Sequence, residues 1–260
     1  MHQVRLFFTA LQFFTRLPIP RWVGFDAAWL HQSSRYFPLV GVVVAAIAAA
    51  VYAAAALVLP APVAVLLSTA AGIYATGAFH EDGFADMCDG FGGGMTRERV
   101  LEIMKDSRIG AYGAIGTICM LGVKCTTLAM LPPATAIAAL FFAHPLSRLA
   151  ATALIWRMDY ARDEGKSKPL AQKMSAGEFG LAACTVLLTA AILLQGGWLH
   201  WQAAVAAVLA ASASTLWLGM KFQRRIGGYT GDCLGAVQQV AEAVIYLCVL
   251  GSLGHSAWPA

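Results

Sequence analysis

Charge is scarce in this sequence. Of 260 residues, 18 are Lys or Arg and 14 are Asp or Glu, 12% in all. That is about half the roughly 25% share of a soluble globular domain. Apolar residues make up 59% and mean hydropathy is +0.66. A soluble chain of this size would lack the polar side chains to cover its surface. These proportions exclude a disordered chain, a collagen, a coiled coil and a soluble disulfide scaffold. Among the six cysteines, Cys88, Cys119, Cys125, Cys184, Cys233 and Cys248, no CxxC pair occurs. That argues against structural zinc and disulfides and for helix-filling residues. The apolar stretch Val4–Leu17 is short and lacks a small-residue cleavage site, which argues against a signal peptide. Internal repeats, linkers and the alternation of an outer-membrane barrel are also missing, so the chain reads as one membrane-embedded domain over 1–260.

Long charge-free runs remain. Residues 36–79 and 179–220 contain no Asp, Glu, Lys or Arg. Residues 109–156 hold only Lys124 and Arg148, and 233–260 only Glu242. A spanning helix needs roughly 20 mainly apolar residues, so the longer runs are each two helices. Pro60 and Pro62, Pro132 and Pro133, and Gly196 and Gly197 divide them. The expected fold is an all-α, polytopic helical membrane protein with seven spans, at 37–59, 63–79, 110–131, 134–156, 180–195, 199–220 and 236–254. The 180–195 span is short and has room to extend upstream. In the first segment, Arg5, Thr9, Gln12 and Arg16 recur at helical spacing on a Phe/Leu-rich stretch. That pattern reads as an interfacial helix or as the first turns of a packed one.

Orientation follows from Lys/Arg counting. With seven spans, one side holds segments 1–36, 80–109, 157–179 and 221–235, with four, four, five and three Lys/Arg. Lys166, Lys168 and Lys173 belong to the third. The opposite turns and the C-terminus hold none. The N-terminus and every long loop are therefore expected in the cytoplasm, with the C-terminus outside.

The first long loop carries the chemistry. It reads His80-Glu81-Asp82-Gly83-Phe84-Ala85-Asp86-Met87-Cys88-Asp89-Gly90-Phe91, followed by Gly92–Gly94. Asp82, Asp86 and Asp89 at i, i+4 and i+7 share one face of a helix. Stacked carboxylates repel one another, and a divalent cation would offset the repulsion. Mg²⁺ prefers a few carboxylates plus water and substrate phosphate oxygens, so the expected role is a metal bridge to a pyrophosphate. A solvated acidic helix end is the alternative. His80 beside the cluster reads equally as a base or as a structural residue.

Downstream, Thr96 opens a short helix. Lys105 and Arg108 then share a face directly before the third span, where they serve either to hold phosphates or as ordinary cytoplasmic anchors. The last cytoplasmic loop contains Gly227-Gly228-Tyr229-Thr230-Gly231-Asp232. Its glycines permit close backbone approach to a ligand, and Asp232 would be a fourth carboxylate on the same side. A plain flexible turn is the other reading. Charges inside spans are costly and mark functional candidates. Arg148, in His144-Pro145-Leu146-Ser147-Arg148, is expected to face the bundle interior. Lys124 and Glu242 read equally as a structural pair.

At these residues the chain resembles the cobalamin synthase family, the adenosylcobinamide-GDP ribazoletransferases. The matching pieces are Phe14-Thr15-Arg16-Leu17-Pro18-Ile19-Pro20, Phe79-His80 with Asp82-Gly83-Phe84-Ala85-Asp86 and Cys88-Asp89-Gly90, Glu102 through Gly110, Ser147-Arg148, and Gly228 through Ala236. They run in order along the whole chain. Glu81 departs from a position that is often apolar in the family, which leaves only its own role open. The resemblance implies attack by an α-ribazole hydroxyl on the phosphorus bonded to cobinamide, giving adenosylcobalamin, or its 5′-phosphate when the acceptor is ribazole phosphate, plus GMP. It implies a catalytic Asp82 with His80, Mg²⁺ on Asp82, Asp86, Asp89 and Asp232, and substrate contacts from Lys105, Arg108, Arg148, Gly228, Thr230 and Gly231. It also implies a cytoplasmic (inner) membrane location, no nucleic acid, and self-association or association with other cobalamin-assembly enzymes.

Two rivals share features of the sequence. A CDP-alcohol phosphatidyltransferase has Asp-Gly followed by Ala-Arg and two spaced Asp, whereas here Ala85 precedes Asp86 and Asp89 comes too soon. A small-solute transporter would show inverted repeats and mid-membrane carboxylates.

Overall fold

The computed structural model describes residues 1–24, 26–162 and 174–254. Lys166, Lys168 and Lys173 of the third basic segment, and the last residues of the C-terminus, lie outside the described residues. Helices α1 (His2–Phe14) and α2 (Ala27–Ser33) precede the bundle. Then come α3 (Phe37–Ala56), α4 (Ala61–Thr76), α5 (Phe79–Gly93), α6 (Arg97–Ile103), α7 (Ala111–Ala129), α8 (Pro133–Arg157), α9 (Ala176–Gln195), α10 (Trp201–Ile226) and α11 (Gly231–Ser252). The protein is a polytopic helical membrane protein: among the described residues six of the seven expected spans correspond to helices long and apolar enough to cross a membrane, α3 and α7–α11, while the second, α4, passes that test only together with α5. The third from last, α9, does extend upstream, because Ser175 accepts from the Glu178 N–H while the Glu178 carboxylate accepts from the Ser175 N–H, a capping box.

Breakers stand where the helices break. Pro60 precedes α4, Pro132 and Pro133 begin α8, and Gly196 closes α9. Proline suits a helix start because its missing N–H would be unsatisfied there anyway. Small residues let the bundle close, as packing inside a membrane requires. A Cβ on Gly41 of α3 would stand 2.6 Å from the His144 carbonyl oxygen of α8. The most enclosed helices are α8 and α11, each 72% buried, while α9, at 17%, faces outward. Outward-facing Ile115, Ile118, Leu187, Leu188, Leu209 and Leu216 are exposed, which suits contact with lipid.

The interior has two apolar zones. One, toward the expected cytoplasmic end, joins Phe14, Phe37, Phe84, Phe91, Phe222 and Leu234. The other joins Tyr52, Leu140, Phe142 and Tyr246 with many alanines of α3, α8, α10 and α11. Polar side chains stand between them: Lys124, His144, Arg148, Gln238, Gln239 and Glu242 are all buried.

Helix α4, the second expected span, and the acidic helix α5 meet at an 89° bend. Gly77 and the non-glycine Ala78 both adopt left-handed backbone, with φ of 64° and 60°. Such a residue costs roughly 1–2 kcal/mol outside glycine. Arg16 braces the bend: its N–H donates to the Ala75 carbonyl at 2.8 Å, and its guanidinium lies 5.8 Å from the Tyr74 ring centre. A Cβ at Gly77 would fall 2.7 Å from Arg16 Nε. Helix α4 has 16 residues, about 24 Å at 1.5 Å per residue, short of the roughly 30 Å hydrocarbon core. At 89° to α4, α5 leaves the direction of that helix rather than continuing it.

Candidate active site

Helix α5 presents its carboxylates to the start of α11. Two glycines make the approach possible. A Cβ on Gly83 would stand 3.0 Å from Asp232 Cα, and one on Gly235 would stand 3.0 Å from the His80 carbonyl oxygen. This crossing places Asp82 and Asp86 near Asp232. Burial pushes the Asp86 carboxyl up to about 7, with the Asp232 and Asp82 charges adding and Arg162 opposing. Asp82 is exposed and Asp86 half-buried, so the cluster opens to one side.

Arg162 is the cation of this cluster. Its NH2 donates to Asp232 Oδ2 at 2.9 Å, while its Nε is buried without a partner. The glycine-rich turn delivers it. The Tyr229 N–H donates to the Asp159 carbonyl at 3.0 Å and the Ala161 N–H to the Tyr229 carbonyl at 2.8 Å. A Cβ on Gly228 would fall 2.2 Å from the Asp159 oxygen. Thr230 caps α11 by accepting from the Cys233 N–H and donates to Asp232 Oδ2 at 3.3 Å. Gly228, Thr230 and Gly231 thus belong to a splice between the 159–161 segment and α11, beside the carboxylates. Arg97 ties the same splice to α6 through the Ile226 and Ala161 carbonyls.

Asp89, the third carboxylate of the α5 face, is occupied differently. Its Oδ2 accepts from the Gly110 N–H at 2.7 Å and its Oδ1 from the Gly113 N–H at 2.8 Å. It caps the first turn of α7 from another helix. The cap needs both glycines, since a Cβ on either would stand 2.4 Å from its carboxylate. Lys105 and Arg108 are not drawn into the cluster. Lys105 is exposed, and Arg108 pairs with Asp106 at 2.6 Å on the surface. Those hydrogen bonds hold the Asp106 carboxyl down at about 2.

His80 is 4% exposed and stacks on Phe14 at 5.4 Å. Burial first, then the Arg148 charge, push it well below its ordinary value. Behind it lies the buried polar layer. Lys124 Nζ meets Glu242 Oε1 at 2.6 Å and donates to Gln239 Oε1 at 3.0 Å. The Tyr246 hydroxyl donates to the same Glu242 carboxylate at 3.2 Å. Arg148, 3% exposed, donates to the His144 carbonyl at 3.0 Å, but its Nε has no partner. Glu81 accepts from Gln239 Nε2 at 2.9 Å, and its Oε2 is left without one. Sequence reasoning passed over Arg162, Gln238, Gln239 and His144. Arg162 carried no distinguishing signal among the other basic loop residues. The polar residues within spans were visible, but their partners sit on other helices.

Among the described residues, no three His, Cys, Asp or Glu side chains converge as a closed metal-ligand set. The cluster is instead a partial set of carboxylates facing an arginine. Carboxylates and a guanidinium gathered at one mouth of a helical membrane bundle suit a membrane-embedded transferase that handles phosphate esters. Residues 6–250 match the family model described as CobS, cobalamin-5-phosphate synthase, and the chain belongs to that family. A protein of Leptothrix cholodnii described as adenosylcobinamide-GDP ribazoletransferase is 47% identical over 264 residues, 95% of each chain. One of Shewanella frigidimarina with the same description is 44% identical over 255 residues, covering 96% of this chain and 95% of its own. No solved structure matches the chain.

Proposed function

We propose that the protein joins adenosylcobinamide-GDP to α-ribazole, or to ribazole 5′-phosphate, releasing GMP. The observation that carries this reading is the meeting of Asp82 and Asp86 with Asp232 and Arg162, from three parts of the chain. Transfer of this kind depends mainly on positioning and on neutralising charge. Asp82, the most open of the carboxylates, takes the hydroxyl proton of the acceptor. Arg162, with one N–H unspent, stabilises charge on the departing phosphate. Lys105 and Arg108 contact the nucleotide only if their segment folds toward the cluster.

Mg²⁺ fits as a cofactor in part. It commonly takes one or two carboxylates and completes its shell with water and substrate phosphate oxygens. Asp82, Asp86 and Asp232 suit that pattern; Asp89, with both oxygens on the backbone of α7, suits it least. A bound cation would draw charge from the pyrophosphate. The bias of basic residues supports an inner-membrane protein with its N-terminus and this mouth in the cytoplasm and its C-terminus outside. Self-association, or docking with enzymes of the same assembly route, would keep such reactants close.

The test is reconstitution. Purified protein in detergent, with Mg²⁺, adenosylcobinamide-GDP and α-ribazole, should release GMP and form the corrinoid product in equal amounts. Absence of both, with an active control, refutes the reading. A CDP-alcohol transferase would instead release CMP from a CDP-lipid under the same conditions.

A further inference from the structure

Helix α10 ends in three cations, Lys221, Arg224 and Arg225. Together with Trp217 and Met220 they line an open groove with about 270 Å³ of free space. We propose that this groove holds the headgroup of an anionic phospholipid, of the phosphatidylglycerol type, with its phosphate against the cations and its chains along the apolar face of α10. The transfer reaction does not enter this argument.

Three features lead there. The first is the polarity of α10 along its length. Residues 201–220 carry no charge, and at 1.5 Å per residue they extend about 30 Å, the thickness of a hydrocarbon core. Leu209, Leu216, Trp217 and Met220 are exposed on that stretch, and the cations begin at the next residue. A phospholipid has the same order, chains and then phosphate, and a Trp beside the boundary is usual. The second is charge. Among the described residues, no ion pair ties Lys221, Arg224 or Arg225 to a carboxylate. Basic pockets at a span end attract anionic headgroups, and guanidinium groups suit phosphate oxygens. The third separates a built site from cations that merely anchor a helix. Two of the three are held in place. Lys221 Nζ lies 5.6 Å from the Phe91 ring centre and 5.4 Å from that of Trp217. The Arg225 guanidinium lies 5.7 Å from Phe91 and donates to the Gly94 carbonyl. Arg224 stays exposed. A headgroup here would adjoin the end of α5, the helix that carries Asp82 and Asp86.

The full-length protein in nonionic detergent is titrated with dioleoyl phosphatidylglycerol or dioleoyl phosphatidylcholine, which share their chains, and bound lipid is counted by native mass spectrometry. Wild type should bind one phosphatidylglycerol at least tenfold more tightly than phosphatidylcholine. Arg224→Gln should weaken the anionic lipid about fivefold, and Lys221→Gln with Arg224→Gln about twenty-fivefold, at about a factor of five for each charge near an anionic surface. Neither should change phosphatidylcholine binding. The control removes two exposed basic residues elsewhere, Arg21→Gln with Arg157→Gln, and should leave the tight phosphatidylglycerol in place. Equal losses from the control pair would mean diffuse attraction to net charge and overturn the site. Equal affinity of wild type for the two lipids would overturn it as well. Inorganic phosphate at millimolar concentration should not displace the lipid. Displacement that spares the phosphatidylcholine signal would assign the groove to a free anion and overturn the lipid as its occupant. Should the double variant melt early, Arg224→Gln alone decides, because that side chain is exposed.

Discussion

Replacing Asp89 separates two roles that its position on the acidic face would otherwise confuse. Its carboxylate accepts two backbone N–H bonds from the first turn of α7 and is 8% exposed. Asp89→Ala removes a helix cap, commonly about 0.5–2 kcal/mol. It also leaves two amide donors near the protein interior, each costing about 1–3 kcal/mol if water does not reach it. Water entry at the helix end recovers some of that, so about 2–3 kcal/mol is expected. In a chain of this size that lowers the apparent melting temperature by roughly 5–10 °C. Asp89→Asn keeps one acceptor oxygen and should lose about half as much. The measurement is thermal unfolding of the detergent-solubilised protein, with turnover recorded in parallel at a temperature where both variants stay folded. There, Asp89→Asn should retain most of its activity. Wild-type thermal stability in both variants, combined with abolished turnover, would refute the capping role and return Asp89 to the catalytic set.

Other expectations follow from the same geometry. Gly83→Ala pushes α5 from Asp232, and because small misplacements at a reacting centre cost up to about a hundredfold, kcat should fall at least tenfold with little change in melting temperature. Asp86 is raised to about 7 by burial and neighbouring carboxylates. The folded chain therefore holds this proton more tightly than the unfolded one. The resulting stability is complete below the unfolded value near 4 and is lost as pH rises through 7. Melting curves in chelator from pH 5 to 8 should fall, and Asp86→Asn should flatten them; half exposure limits the effect to about 1–2 kcal/mol. Lys124→Met leaves Glu242 charged and buried, so it should cost about 3–5 kcal/mol. Adding Glu242→Gln should restore part of this in the same unfolding assay.

Much of the bundle was legible because membrane spans announce themselves by missing charge. Pro60, Pro132 and Gly196 are local signals, and they mark the breaks. The acidic helix was legible from the spacing of Asp82, Asp86 and Asp89. Its 89° departure from α4 was not, because Ala78 has no business in left-handed backbone by its own preference. Only the surrounding packing, Arg16 included, holds it there. Asp89 and Arg162 illustrate the same limit. Each gets its role from a partner at least 21 residues away, and no periodicity records such a partner. The pairing of Lys124 with Glu242, one of two readings of those residues, is what the structure contains.

The left-handed corner at Gly77 and Ala78 also sets which parts of the chain tolerate length changes. A helix turns about 100° for each residue. One residue inserted within α5 ahead of Asp82 would rotate the acidic face by that angle relative to the corner, carrying Asp82 and Asp86 away from Asp232 and Asp89 away from α7. The turns near 58–60, 131 and 197, at the opposite end of the bundle, index nothing in this way. Natural variation in length should therefore gather in those outer turns and avoid the notch at 77–78.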